Sequence, residues 1–388
     1  MAHQTYTLAN GLRLIHEPTH SQVVYCGYVV CAGTRHEAEA DSGMAHFIEH
    51  LTFKGTSRRR ACHITNGLER VGGDLNAFTT KQETVYYATV LKGDFARAAD
   101  LLTDIVFHST YPQAEIDKEV EVICDEIDSY QDSPSELIFD EFESMMYPGQ
   151  PLGRDILGRA ERLRQYTTAD ALRFVHPYYL PCHTAFYVYG DVPFRTIVRT
   201  LERLTSDFGP AEPSLPATQP PFVPAVPAEP LRIVTKQTHQ AHVMVGGPGM
   251  NSRLNLSLRE KAGLVYSVDS YLNSYPDTGF WNVYFGCDAH DVARCRRLLE
   301  RELRRFTDNP LSEARLKAAK KQLLGQIGIS TDAPENYALA MGKTFAHYNR
   351  YRDIERLCRD INAVTAEEVQ AVAAEVYRPE RLTTLIYQ

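Results

Sequence analysis

Eight of the 22 residues in GPAEPSLPATQPPFVPAVPAEP, Gly209 to Pro230, are proline. Proline has no amide proton and its ring clashes with the preceding turn, so neither a helix interior nor a central strand can run through this stretch. It reads as an extended, semi-rigid linker. The chain of 388 residues, too long for one small core, is thereby divided into an N-terminal half, 1–208, and a C-terminal half, 231–388, joined by 209–230.

The two halves look related. TTADALRFVHPYYLPCHTAFYVYG (167–190) and VTAEEVQAVAAEVYRPERLTTLIYQ (364–388) share a plan. Each has a threonine cap, an apolar-periodic helix, a tyrosine two residues before a proline, and an apolar strand. Likewise ETVYYATVLKGDFARAADLLTDIVF (83–107) and GFWNVYFGCDAHDVARCRRLLERELRRF (279–306) are strands entering a polar turn and an amphipathic helix. Any α+β protein repeats such units, but two of them in the same order favour a duplicated domain. The expected fold is α+β: two related halves, each an antiparallel-type sheet covered by helices on one face.

Charge and hydropathy exclude some classes. Forty-one basic against 49 acidic side chains leave a net charge of −8, which argues against a nucleic-acid groove. No window reaches 18 apolar residues, so no membrane span is expected. The start, MAHQTYTLANGLRLI, shows neither a signal-peptide apolar region nor an Arg-rich transit segment, and a cytoplasmic location is the expectation. Eight cysteines without a C-x-x-C pair, several inside apolar runs (Cys26, Cys31, Cys124), read as free core thiols.

The stretch GMAHFIEHLTFKGT, Gly43 to Thr56, places two histidines and a glutamate within five residues. Asp41 and Ser42 read as N-cap residues and Gly55 as a stop, giving a helix over roughly 43–54. His46 and His50 then share a face at i and i+4, with Glu49 beside them. Two neutral imidazoles suit zinc, but two ligands do not close a site; a solvated His/Glu face is the competing reading. A third ligand must come from elsewhere. In AEIDKEVEVICDEIDSYQDSP (114–134), Ile116, Val120, Ile123 and Ile127 follow helical spacing. Glu119 and Glu126, seven apart, share one face of that helix and could coordinate a metal or orient a ligand.

The order H-x-x-E-H inverts the H-E-x-x-H of most zinc peptidases, and Glu126 follows His50 by 76 positions. In these features the chain resembles the inverzincin zinc metallopeptidases of the pitrilysin and mitochondrial-processing-peptidase family, in its bacterial-type processing-peptidase branch. GGDLNAFTTKQETVYYATV (72–90), PLGRDILG (151–158) and SRLNLSLREKAGLVYSVDSY (252–271) extend the resemblance over nearly the whole chain. The resemblance implies one zinc ion per chain on His46, His50 and Glu126, with Glu49 as general base and Glu119 as an additional acidic residue near the site. It implies that Asn76 and Ala77 lie along a bound substrate backbone. It also implies that Arg259 and Tyr266 hold substrate or the developing oxyanion.

The function so implied is a zinc-dependent endopeptidase for unfolded or extended peptides enclosed between two halves. The partner would be a second copy of the chain in a homodimer, or a related subunit in a heterodimer. The alternative is a non-catalytic assembly or partner subunit that retains the metal site; the intact Glu49 argues against it, as against a purely structural zinc. Cobalt or manganese could occupy similar ligands. One departure stands out. TKQTHQAHVMV (235–245) passes at once into GGPGMNSRL (246–254), where the N-terminal half has a loop and the histidine-bearing helix. The C-terminal half is therefore expected to be shortened near 245–246, leaving its Arg259 and Tyr266 segment less supported.

Overall fold

The computed structural model describes residues 3–211, 229–236, 238, 240–247 and 264–388. Most of the Pro-rich stretch, and the segment 248–263 with Arg259, lie outside the described residues, as does the chain immediately after the expected shortening. The described chain forms two compact units. The first holds 3–127, 154–211 and 327–353; the second holds 128–153, 354–388 and the described part of 229–326.

The first unit is built on β1 (Gln4–Thr7), β2 (Arg13–Glu17), β3 (Val23–Val30), β4 (Asp74–Thr79), β5 (Thr84–Leu91) and β6 (Thr184–Tyr189), in the order β1-β2-β6-β3-β5-β4. Every pairing is antiparallel except β2 with β6. The centre belongs to β6 and β3, whose valines and tyrosines suit a pleated surface buried on both sides. Val24, Cys26, Tyr28 and Val30 alternate onto one face with Tyr86, Ala88 and Val90, under a layer of helices that includes Met44–Thr52, Phe95–His108 and Gln113–Gln131. Val29, Val85, Ala185 and Tyr187 point to the opposite face, covered by Ala338, Met341 and Phe345 of the helix Pro334–Tyr348.

The second unit repeats this plan. Its strands β7 (Leu231–Val234), β8 (Ala241–Gly247), β9 (Val265–Ser274), β10 (Gly279–Cys287) and β11 (Thr383–Tyr387) run in the order β7-β11-β8-β10-β9. That is the order β2-β6-β3-β5-β4 of the first sheet, and again only the β7 and β11 pair is parallel. Helices Val292–Asp308 and Ala366–Val376 cover one face, on Val243, Val245, Val283 and Phe285. Leu137, Ile138, Phe142 and Met146 of the helix Pro134–Met146 cover the other, on Met244, Phe280 and Leu385.

The duplication extends to detail. Thr167 and Thr365 cap their helices through matching boxes with Asp170 and Glu368, each satisfying two orphan amides. The helices Gln113–Gln131 and Glu313–Thr331 are both 19 residues long, and the helices after them begin at Pro134 and Pro334. The halves thus match at an offset of 200 across this stretch. Among the described residues each sheet carries its helices mainly on one face, with a single helix from the other half of the chain on the other. At Gly342 a Cβ would lie 2.3 Å from Cδ1 of the buried Tyr187, so only glycine lets that helix close onto β6. Among the described residues no helix is long and apolar enough to cross a membrane.

Candidate metal centre

The helix Met44–Thr52 is amphipathic for a plain reason: Met44, Ala45, Phe47, Ile48 and Leu51 are buried in the core of the first unit, which leaves His46, Glu49 and His50 along the other side. Its start is not capped by Asp41 or Ser42, as the sequence suggested. Gly43 occupies the N-cap position at φ +84°, and the orphan amides are met from a distance. Buried Glu37, its carboxyl pushed up to about 8 by burial, accepts from Gly43 N at 3.0 Å and from Ala45 N at 2.8 Å and so satisfies two amides at the helix start. Asp41 instead pairs with Arg173 at 2.8 Å. The PLGRDILG segment buttresses this turn: a Cβ on Gly43 would meet Leu157 O at 2.6 Å, and Arg154 donates to the Glu37 carbonyl.

The helix Gln113–Gln131 buries Ile116, Val120 and Ile123, and presents Glu119 and Glu126 to the two histidines. Glu126 Oε2 lies 3.9 Å from His46 Nε2 and 3.7 Å from His50 Nε2. Those separations exceed a hydrogen bond and approach the spacing, roughly 3.3 Å, of two ligands about 2.0–2.1 Å from one tetrahedral zinc. The donor atoms of all three residues lie within 4.8 Å of one another. His46 Nδ1 is buried with no hydrogen-bond partner among the described residues. Two imidazole nitrogens and one carboxylate oxygen are a donor set that fits zinc with a position left for water.

The two histidines are shifted in opposite directions. Burial, with the neighbouring His50, pulls His46 down to about 3, so its ring is neutral and able to ligate at neutral pH. Burial also acts to lower His50, but its hydrogen bond to Glu119 and the surrounding carboxylates outweigh it and raise the pKa. His50 Nδ1 lies 3.0 Å from Glu119 Oε1, and Lys54 Nζ lies 2.6 Å from Glu119 Oε2. The carboxylate would hold the proton on Nδ1, leaving Nε2 for an ion that takes the place of the second proton the surrounding acids favour. Burial raises Glu49 above the usual carboxylate range, and its Oε2 accepts from Thr79 Oγ1 at 2.6 Å.

Thr79 ends β4, the edge strand of the first sheet, and Asn76 and Ala77 lie on the same strand. Ala77 is half-buried against the helical layer, whereas Asn76 is exposed and its side-chain amide donates to Asp74 at 2.6 Å. Tyr266 stands on β9 of the second unit, 60% exposed, with its hydroxyl donating to Asp288 Oδ1 at 2.9 Å. Arg259 is outside the described residues. Lys54, Thr79 and Glu37 escaped the sequence reading. Lys54 carried a signal, its i+4 spacing from His50; Thr79 and Glu37 carried none, because only folding brings them to the helix.

A duplicated pair of sheets with a two-histidine, one-carboxylate donor set on the first defines a two-domain α+β protein with a candidate divalent-metal centre. Residues 13–160 match the model of the insulinase family, peptidase family M16, and residues 165–251 and 246–323 match the model named peptidase M16 inactive domain. The zinc protease YmxG of Bacillus subtilis, named as uncharacterized, is 30% identical over 98% of this chain and 97% of its own length. The similarly named zinc protease Rv2782c of Mycobacterium tuberculosis is 31% identical over 96% of this chain and 90% of its own. A solved protease structure from Helicobacter pylori superposes with a TM-score of 0.88 at 20% identity, covering 100% of this chain and 99% of the other. The chain belongs to peptidase family M16.

Proposed function

We propose that the chain is a zinc-dependent endopeptidase that cuts extended peptides laid along β4. The observation that carries this reading is the Thr79 to Glu49 hydrogen bond of 2.6 Å, which ties the candidate base to the edge strand beside the metal ligands. An edge strand offers unpaired amides and carbonyls to an added peptide whatever its side chains, a mode that selects unfolded segments. Asn76 and Ala77 lie where such a peptide would run.

When bound to His46, His50 and Glu126, zinc supplies an acidified water and positive charge for the developing oxyanion. Glu49 takes the proton of the attacking water on the oxygen that Thr79 does not engage, and returns it to the leaving amine. Its burial keeps the carboxylate basic enough for both duties. His46 and His50 would supply the two nitrogen ligands, and Glu119 would keep His50 in the productive tautomer. The count of one ion per chain is supported by the second half, where Ala319 and Gln326 stand 200 residues after Glu119 and Glu126. Asp288, His290 and Asp291 form another acid–histidine group, but Asp288 is engaged by Tyr266 and His290 is exposed. The roles of Arg259 and Tyr266, and assembly as a homodimer or with a related subunit, rest on the family resemblance.

The deciding experiment pairs Glu49→Gln with Glu126→Gln, assayed on an unstructured peptide mixture and by zinc content. Glu49→Gln is expected to keep zinc and lose turnover by about 10²–10⁴-fold. Glu126→Gln is expected to lose both. Full activity in Glu49→Gln would sink the mechanism, and a zinc-loaded wild type that cuts nothing would favour the non-catalytic subunit. Tyr266→Phe, with metal unchanged, should lower turnover if the second half takes part.

A further inference from the structure

The first unit also has a cleft whose lining includes none of the candidate zinc ligands. A cleft of about 1070 Å³ opens between the segment 57–59 and the helices Ala61–Glu69, Phe95–His108 and Phe194–Leu204. Five guanidinium groups line it, from Arg58, Arg59, Arg70, Arg97 and Arg203. The chain as a whole carries −8, so the sign of the charge is reversed locally.

The acids at the cleft are already engaged. Asp100 is bonded by Arg59 and lies 3.3 Å from Arg58; Asp207 takes His108 at 2.8 Å. Asp104, fully buried beneath, accepts from Arg59 and from Thr56 Oγ1. This network fixes Arg59 as a rigid floor. Arg70 and Arg203 have no carboxylate partner among the described residues, and Arg97 has only Asp94 at 3.6 Å. The result is a fixed cation at the base with free planar forks around it, the arrangement that recognises phosphate oxygens in pairs.

We propose that this cleft binds a small, multiply charged phosphate compound. Its volume exceeds what one phosphate needs. No phenylalanine, tyrosine or tryptophan lines it, so there is no aromatic platform for a nucleobase, and a linear oligophosphate is the simplest occupant. An acidic peptide is disfavoured because the main walls are helices and offer no free sheet edge for backbone pairing.

The test is calorimetric titration of tripolyphosphate into the full-length chain, compared with Arg70→Ser, Arg203→Ser and their double variant. Arg195→Ser with Arg199→Ser removes the same charge from exposed positions of the Phe194–Leu204 helix that do not line the cleft. Expected are saturable binding that weakens with salt, a loss of about tenfold or more for each single cleft variant, and little change in the control pair. The singles are read separately, so a folding defect in one leaves the other to decide. No saturable heat, or equal losses in cleft and control variants, would overturn the proposal. Heat that persists undiminished in every variant would report zinc extraction by the probe and would overturn it equally.

Discussion

Glu119 Oε1 lies 3.0 Å from His50 Nδ1, while its other oxygen takes Lys54 Nζ at 2.6 Å. The side chain of Glu119 is only 7% exposed, so it depends on both partners. Removing either should loosen His50 rather than unfold the helix. Glu119→Gln and Lys54→Met are each expected to weaken zinc binding by about 10–100-fold, with Lys54→Arg recovering much of the loss. Competition with a chromogenic chelator measures this, and unchanged affinity in both variants would remove Glu119 from the metal account.

Thr79 is expected to act on rate and not on metal. Thr79→Val keeps the shape but frees Glu49 to rotate, and turnover should fall about tenfold at constant zinc content. Thr79→Ser should restore it. A parallel loss of zinc in the valine variant would show that the contact serves the helix instead.

Buried Glu83, with Lys343 and His347 as its partners, gives a pH prediction. Burial alone would push the Glu83 carboxyl up, but His347 at 2.6 Å and Lys343 at 2.8 Å outweigh it and hold the group at about 2. A carboxylate held low in the fold contributes stability in full above its unfolded pKa, about 4.3, and loses it as pH falls toward 2. The amount is on the order of 3 kcal/mol. Urea unfolding between pH 5 and 2 should show a fall that is correspondingly smaller in Glu83→Gln.

Two helical glycines should answer oppositely to alanine. At Gly342 the added Cβ meets the Tyr187 ring at 2.3 Å, and that ring is fully buried. The helix-propensity gain, about 1 kcal/mol, is smaller than the cost of forcing the ring aside, up to about 3 kcal/mol, so Gly342→Ala should destabilise. Gly328 has nothing within 4 Å of an added Cβ, and Gly328→Ala should stabilise by up to about 1 kcal/mol. Denaturant midpoints of the two variants test the sign.

Local pattern determined a good deal. The period of Ile116, Val120 and Ile123, the spacing of His46 and His50, and the threonine caps at Thr167 and Thr365 are properties of short segments, and near-neighbour sterics and hydrogen bonding read them out directly. The shared order of elements likewise made the duplication legible, because each half repeats the same periods. Tertiary structure decided what depends on contacts between distant residues. Glu37, not Asp41 or Ser42, serves the helix start, because folding delivers its buried side-chain oxygens to amides that a local cap would otherwise take. Which side chains hold the candidate ligands in place was also decided there, since Thr79 lies 30 residues from Glu49 and Glu119 lies 69 from His50. The helices Pro134–Met146 and Pro334–Tyr348 each cover the sheet of the other half, although their sequences mark only amphipathic helices. A pattern of apolar residues states that a face must be buried; only the assembled fold selects which sheet buries it.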